Sequence, residues 1–167
     1  MKKNLILNHE EIQQKTRRIA YQIVEDNYDE KELVMIGIKP NGFVYAETLK
    51  KEIEAIDGIK ITLLELTLNK VKPLEDEITV QLGKLSLNNK TVLIVDDVAN
   101  TGKTLYYALK PIMDFSPKKV QAVVLVDRQH KLFPVTADFV GLSLSTTLRE
   151  QITVEFDSKG KSNAYLV

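Results

Sequence analysis

The sequence contains no cysteine. Disulfides, thiolate metal sites and cysteine nucleophiles are therefore excluded, and the composition suits a reducing compartment. Seven glycines, five prolines and a formal net charge of zero in 167 residues also exclude the composition of a disordered chain. Lysine plus arginine number 23, and so do aspartate plus glutamate, so no global field draws the protein toward polyanions. Any anion site must be local. No run is long enough to span a bilayer. Met1, Lys2 and Lys3 followed by Leu5, Ile6 and Leu7 begin like a signal peptide, but Asn8, His9, Glu10 and Glu11 end the apolar stretch too early. The chain reads as cytoplasmic. What remains is an ordinary globular sequence of 18.9 kDa, 44% hydrophobic and 28% charged. It is sized for one domain over residues 1–167 that buries roughly 70% of the surface its unfolded chain exposes.

Residues 8–26 read as a helix, because Ile12, Thr16, Ile19, Ala20 and Ile23 fall at helical spacing and Asn8 with Glu11 resembles a capping box. Its opposite face carries Lys15, Arg17 and Arg18. Leu33 through Gly37 is a short apolar strand, followed by a turn over Ile38, Lys39, Pro40, Asn41 and Gly42 and a helix over 43–56. The tight turn makes a cis Lys39–Pro40 bond an expectation. Residues 59–68 are β-like, 78–82 is a candidate second arm of a hairpin, and 69–77 between them reads as a mobile loop. Thr91, Val92, Leu93, Ile94 and Val95 form a strand apolar enough to be buried on both faces. A helix is expected over 104–115, with strands over 119–126, 139–142 and 152–156. The alternation predicts an α/β fold with a mainly parallel central sheet flanked by helices, whose ligands sit beyond the carboxyl ends of the strands.

The most informative stretch follows the strand at 91–95: Asp96, Asp97, Val98, Ala99, Asn100, Thr101, Gly102, Lys103, Thr104. Two acids directly after a buried strand are costly unless they meet water or a ligand. Gly102 allows a tight turn, Thr101 and Thr104 offer hydroxyls, and the first amides of the following helix face a bound phosphate. The acids then suit neutral hydroxyls beside that phosphate. Two other readings compete. A nucleotide P-loop matches Gly102, Lys103 and Thr104 but requires glycine where this chain has Asp97. An acidic turn that merely caps a helix is the blander alternative.

Four apolar residues, two acids, three variable residues and Thr-Gly-x-Thr resemble the signature for phosphoribosyl diphosphate (PRPP) of the type I phosphoribosyltransferases. Gly37, Ile38, Lys39 and Gly42 resemble the diphosphate loop of the PyrR family, the pyrimidine-operon attenuators and uracil phosphoribosyltransferases. The segments 124–130 and 137–141 resemble that family as well, so the likeness covers most of the chain. The resemblance implies a small hood built from the chain-terminal segments over the sheet, and a homodimer or higher homo-oligomer. It implies that Asp96 and Asp97 bind the ribose 2- and 3-hydroxyls and are catalytic. Val98, Ala99, Asn100, Thr101, Gly102, Lys103 and Thr104 would cradle the 5-phosphate. Lys39, Pro40, Asn41, Gly42 and Lys70 would hold the diphosphate. Magnesium is implied through diphosphate oxygens, ribose hydroxyls and water, with no protein cage. The implied reaction displaces diphosphate from the anomeric carbon by a ring nitrogen of a nucleobase, such as uracil, through an oxocarbenium-like state. Residues 69–77 would be the lid that excludes water.

Three departures from the family pattern bear on the reaction. Pro40 and Asn41 stand where PyrR-like loops carry Thr-Arg, which removes a guanidinium and one backbone donor. The lid has Asn69, Lys70, Val71 and Lys72 in place of Tyr-Arg-Asp-Asp. Asn100 stands where hypoxanthine-guanine enzymes carry an aspartate, and a neutral amide is no general base. Arg128 and His130, after a strand end, are candidates for the base pocket or plain solvated side chains. A nucleotide-sensing RNA-binding regulator is an alternative, with Lys15, Arg17, Arg18 and Arg149 as its basic face, although Glu25, Asp26, Asp29, Glu30 and Glu32 crowd the end of the same helix. A catalytically silent PRPP- or nucleotide-binding paralogue is another.

Overall fold

A computed structural model describes residues 3–167. Met1 and Lys2, which begin the leader-like stretch, lie outside the described residues. The chain runs β1 (Asn4–Leu7), α1 (His9–Asp26), β2 (Glu32–Ile38), α2 (Asn41–Ile56), β3 (Lys60–Thr67), β4 (Thr79–Val80), β5 (Thr91–Ala99), α3 (Lys103–Ala108), β6 (Lys119–Arg128), β7 (Phe139–Leu144), β8 (Ile152–Phe156) and β9 (Ser162–Leu166). The main sheet has the order β4-β3-β2-β5-β6-β7. All its pairings are parallel except β3 with β4, the expected hairpin, which joins Leu66 to Val80 and Thr67 to Thr79.

Two-faced burial follows from the strand sequences. Leu33, Met35, Leu93, Val95, Val123 and Leu125 share one core with Ile19, Ile23, Leu49 and Ile53 of α1 and α2. Val34, Ile36, Val92, Ile94 and Val124 share the other with Leu105 and Ala108 of α3. Successive residues alternate between the two layers, as a strand covered on both faces requires. Helix α1 begins with the expected capping box: the Asn8 side chain accepts from the Glu11 amide at 3.0 Å, and Glu11 accepts from the Asn8 amide at 2.8 Å.

Several elements differ from the sequence expectation. Strand β5 does not stop at Val95 but continues to Ala99, because β6 extends alongside it and pairs Asp96 with Val124 and Ala99 with Asp127. Helix α3 ends at Ala108 and tightens into a 3-10 turn over Lys110–Ile112, where Pro111 has no amide to continue an α-helix. Strands β1 and β9 join β8 in a separate antiparallel sheet, β1-β9-β8. This is the hood built from the chain-terminal segments. Its Leu7, Ile152, Val154 and Ala164 belong to the same core cluster as α1 and α2. Among the described residues, no helix is long and apolar enough to cross a membrane.

Candidate functional site

The order of the main sheet reverses between β2 and β5: β3 follows β2 on one side, while β5 lies on the other. The loops leaving the carboxyl ends of these two neighbouring strands diverge there and leave a crevice, the place where open α/β sheets bind ligands. The Lys39–Pro40 bond in the first loop is cis. The loop returns so tightly that a Cβ on Gly42 would lie 2.8 Å from both Asp96 Oδ1 and the Val95 carbonyl oxygen, so only glycine fits against β5.

Because β5 continues through the acids, strand alternation gives them different neighbours. Asp96 is 1% exposed, and both its carboxylate oxygens accept from Lys70 Nζ, at 3.0 and 3.3 Å. Asp97 is also buried and accepts from Asn41 Nδ2 at 3.1 Å. The same Asn41 nitrogen donates to the Val154 carbonyl at 2.9 Å, so one amide joins α2, β5 and the hood. Burial, and then the neighbouring Asp97 charge, hold the Asp96 carboxyl well above the ordinary carboxylate range against the opposing pull of Lys70.

After Ala99 the chain turns through Gly102, whose φ of +83° is in the left-handed region, and enters α3 with no side-chain cap. The turn is braced from outside. Leu132 and Phe133 donate their amides to the Thr101 carbonyl at 3.0 and 3.1 Å. Lys131, ion-paired with Asp127, donates to the carbonyls of Ala99 and Asn100. The Lys103 amide donates to Thr101 Oγ1 at 3.3 Å. The result is a cleft of about 490 Å³ that brings together Asn41, Lys70, Asp96, Asp97, Val98, Ala99, Asn100, Thr101, Gly102, Lys103 and Thr104. Val71 and the hood residues Gln151, Ile152, Thr153 and Val154 complete its wall.

Two buried acids leading into an uncapped helix start set hydroxyl acceptors beside backbone amides that can hold an anion. The sequence matches the family described as "Phosphoribosyl transferase domain" over residues 4–158. The chain belongs to the phosphoribosyltransferase family. It is 34% identical to the bifunctional protein PyrR of Macrococcus caseolyticus over 99% of each chain, and 38% identical to that of Latilactobacillus sakei over 82% of each. Among solved structures it is similar to a hypoxanthine phosphoribosyltransferase of Trypanosoma cruzi, with a TM-score of 0.75 at 18% identity, covering 96% of this chain and 95% of that one. A hypoxanthine-guanine phosphoribosyltransferase of Bacillus anthracis gives 0.73 at 23% identity, over 89% and 86%. These structures share the type I phosphoribosyltransferase fold. The family places the chain among the pentosyltransferases.

Not every residue expected at a phosphoribosyltransferase site lies in the cleft. Lys39, Pro40 and Gly42 do not line it; Gly42 packs beneath Asp96, and Lys39 pairs with Glu65 at 3.1 Å. Arg128 and His130 also stand outside. Arg128 is buried, with its guanidinium donating to Thr146 Oγ1 at 2.6 Å and to the Thr147 carbonyl at 2.8 Å, so it holds the end of β6 to the chain that leads from β7 into the hood. Conversely, nothing in the local sequence marked Gln151, Ile152, Thr153 and Val154 as cleft residues. Ile152, Thr153 and Val154 read only as part of a short strand, and it is the hood that brings them and Gln151 to the cleft.

Proposed function

We propose that the chain binds PRPP in this cleft and transfers its phosphoribosyl group to a nucleobase with release of diphosphate. The observation that carries the reading is the pair of buried acids, Asp96 and Asp97, on a strand that runs straight into the Thr101-Gly102-Lys103-Thr104 turn. In this reading the two carboxylates accept from the ribose 2- and 3-hydroxyls and stabilise the positive charge that develops on the sugar ring. Thr101, Thr104 and the backbone from Val98 to Thr104 hold the 5-phosphate. The uncapped N-terminus of α2, with Asn41 in its first turn, and Lys70 from the lid hold the diphosphate. Asn41 binds neutrally where an arginine is the family habit, which leaves Lys70 as the cleft's main cation on that side.

The family uses magnesium with PRPP, and the donor set fits an ion that arrives with the substrate. Asp96 and Asp97 line the cleft, and their oxygens would meet the ion through its water beside the ribose hydroxyls. When bound, the ion neutralises the charge building on the departing diphosphate. The acceptor base would lie near Asn100 and the hood residues Gln151, Ile152, Thr153 and Val154, which line the same cleft. The PyrR resemblance favours a pyrimidine such as uracil.

The chain is read as one catalytic domain, since the hood and main sheet share a core cluster. An RNA-binding role is less well supported. Arg18 is already spent on the Val140 and Gly141 carbonyls, at 3.1 and 2.6 Å, leaving a thinner basic face on α1. Calorimetric titration with PRPP and magnesium tests the reading. Saturable binding by the wild type, lost in a folded Asp96→Asn/Asp97→Asn variant, is the expected result. Equal binding by both proteins would refute the site.

A further inference from the structure

The side-chain nitrogen of Asn41 has two hydrogens, and both are engaged: one on Asp97 Oδ2 at 3.1 Å, the other on the Val154 carbonyl at 2.9 Å. Among the described residues no other side chain donates to Asp97, although that carboxylate is buried. The Val154 carbonyl lies on the open edge of the hood, because β8 is the outer strand of the order β1-β9-β8. Gln151 and Val167 exchange backbone hydrogen bonds at 2.8 and 2.9 Å. Residues 151, 153 and 155 therefore turn their backbone groups toward β9, and 152, 154 and 156 turn theirs away. Asn41 thus bonds an edge carbonyl that β9 leaves free. The chain beneath it cannot shift toward β5, since a Cβ on the adjoining Gly42 would already lie 2.8 Å from the Val95 carbonyl oxygen and 2.9 Å from the Asp96 Cα. A side chain so committed is poorly suited to diphosphate. It has only its carbonyl oxygen to spare, an acceptor, whereas an anion calls for donors. The backbone at the start of α2 keeps that task.

We propose that the Asn41 side chain is a positioning residue: it aims Asp97 at the ribose hydroxyls and holds the hood, with its share of the base site, at a set distance from that acid. This rests on the PRPP reading of the cleft. In that reaction a ring nitrogen bonds to the anomeric carbon as the bond to the diphosphate oxygen breaks, and the electron pair leaves with diphosphate. Base, sugar and acid must then be held in one alignment. A single amide that grips both the acid and the strand lining the base site sets it. Because that amide is neutral, it orients Asp97 and leaves the negative charge to the sugar, where a guanidinium would pair with it.

Two variants remove the donor: Asn41→Ala, and Asn41→Asp, which keeps the shape of the side chain and so its packing. The sugar and diphosphate ends of the ligand are probed apart, with ribose 5-phosphate and with inorganic diphosphate, each titrated in magnesium. Both variants should bind ribose 5-phosphate about fivefold more weakly than the wild type, and diphosphate equally well. In diphosphate release from PRPP, magnesium and uracil, kcat should fall about thirtyfold while KM for PRPP rises by no more than about fivefold. Amide exchange over residues 152–156 should be about tenfold faster in both variants, with β2 exchanging as in the wild type. Weaker diphosphate binding with ribose 5-phosphate affinity kept, or a raised KM with kcat intact, would assign the side chain to diphosphate and overturn the proposal. So would an equal loss of both probes, variants that bind both as the wild type does, or unchanged exchange over residues 152–156. A wild type that binds neither probe defeats the PRPP reading itself, and this role with it.

Discussion

Asp96 concentrates the conflict between stability and function. Its carboxyl is buried against a second acid, so its native pKa is raised above the ordinary 3.8. The folded state therefore holds the proton more tightly than the unfolded state. That stability is fully present below 3.8 and is lost as pH rises through the native pKa. Asp96→Asn removes the titration. Urea denaturation at a series of pH values from 4 upward should show the variant gaining stability over the wild type as pH rises, while its PRPP binding falls. A constant difference across the series would contradict the burial argument. Beneath Asp96, Gly42 has no room for a side chain. Gly42→Ala should cost about 1–3 kcal/mol in the same denaturation measurement, because the Val95 carbonyl and the Asp96 Cα, both backbone, stand in the way beside the Asp96 carboxylate. The chemistry of both positions was legible in the sequence: paired acids after a buried strand, and a glycine closing the preceding turn. Arg128 was not, since a single arginine after a strand reads the same whether it faces a ligand or braces Thr146 and Thr147.

At the scale of elements, periodicity served best where one residue pattern had one outcome. The apolar stripe and the Asn8 and Glu11 cap define α1, and the two unbroken apolar runs define β2 and β5. Asn8→Ala should lower stability by about 1 kcal/mol, moving the melting temperature by roughly 2–4 °C in a chain of this size. PRPP affinity should stay unchanged, since the cap lies far from the cleft in the chain's order and outside its lining. Boundaries set by partners were less legible. Asp96 and Asp97 read as a loop because acids disfavour strands, yet β6 pairs alongside and carries β5 past them. The extension fixes both carboxylates on a strand and gives each its own neighbour, Lys70 for Asp96 and Asn41 for Asp97. Pro111 lies inside the stretch expected as a helix, and its missing amide is where the α-helix gives way to a 3-10 turn. Strands β1 and β9 are four and five residues long and pair only with each other and β8, so no local pattern announces them.

The whole molecule brings together segments far apart in the chain. Lys70, the acids of β5 and the hood residues from Gln151 to Val154 meet only because the sheet reverses direction between β2 and β5 and the terminal strands fold back over that point. On a chain of zero net charge any anion site has to be local, and Lys70 and Lys103 are cations that line the cleft. The fold and the family account for the sugar-phosphate half of the reaction, while the acceptor half depends on a wall made by Asn100 and the hood. The most direct measurement is release of diphosphate from PRPP and magnesium in the presence of a panel of nucleobases. The account predicts release that depends on a base, with a pyrimidine such as uracil as the effective acceptor, and its loss in a folded Asp96→Asn/Asp97→Asn variant. Absence of base-dependent release from a wild type that still binds PRPP, or undiminished release by the double variant, would contradict it.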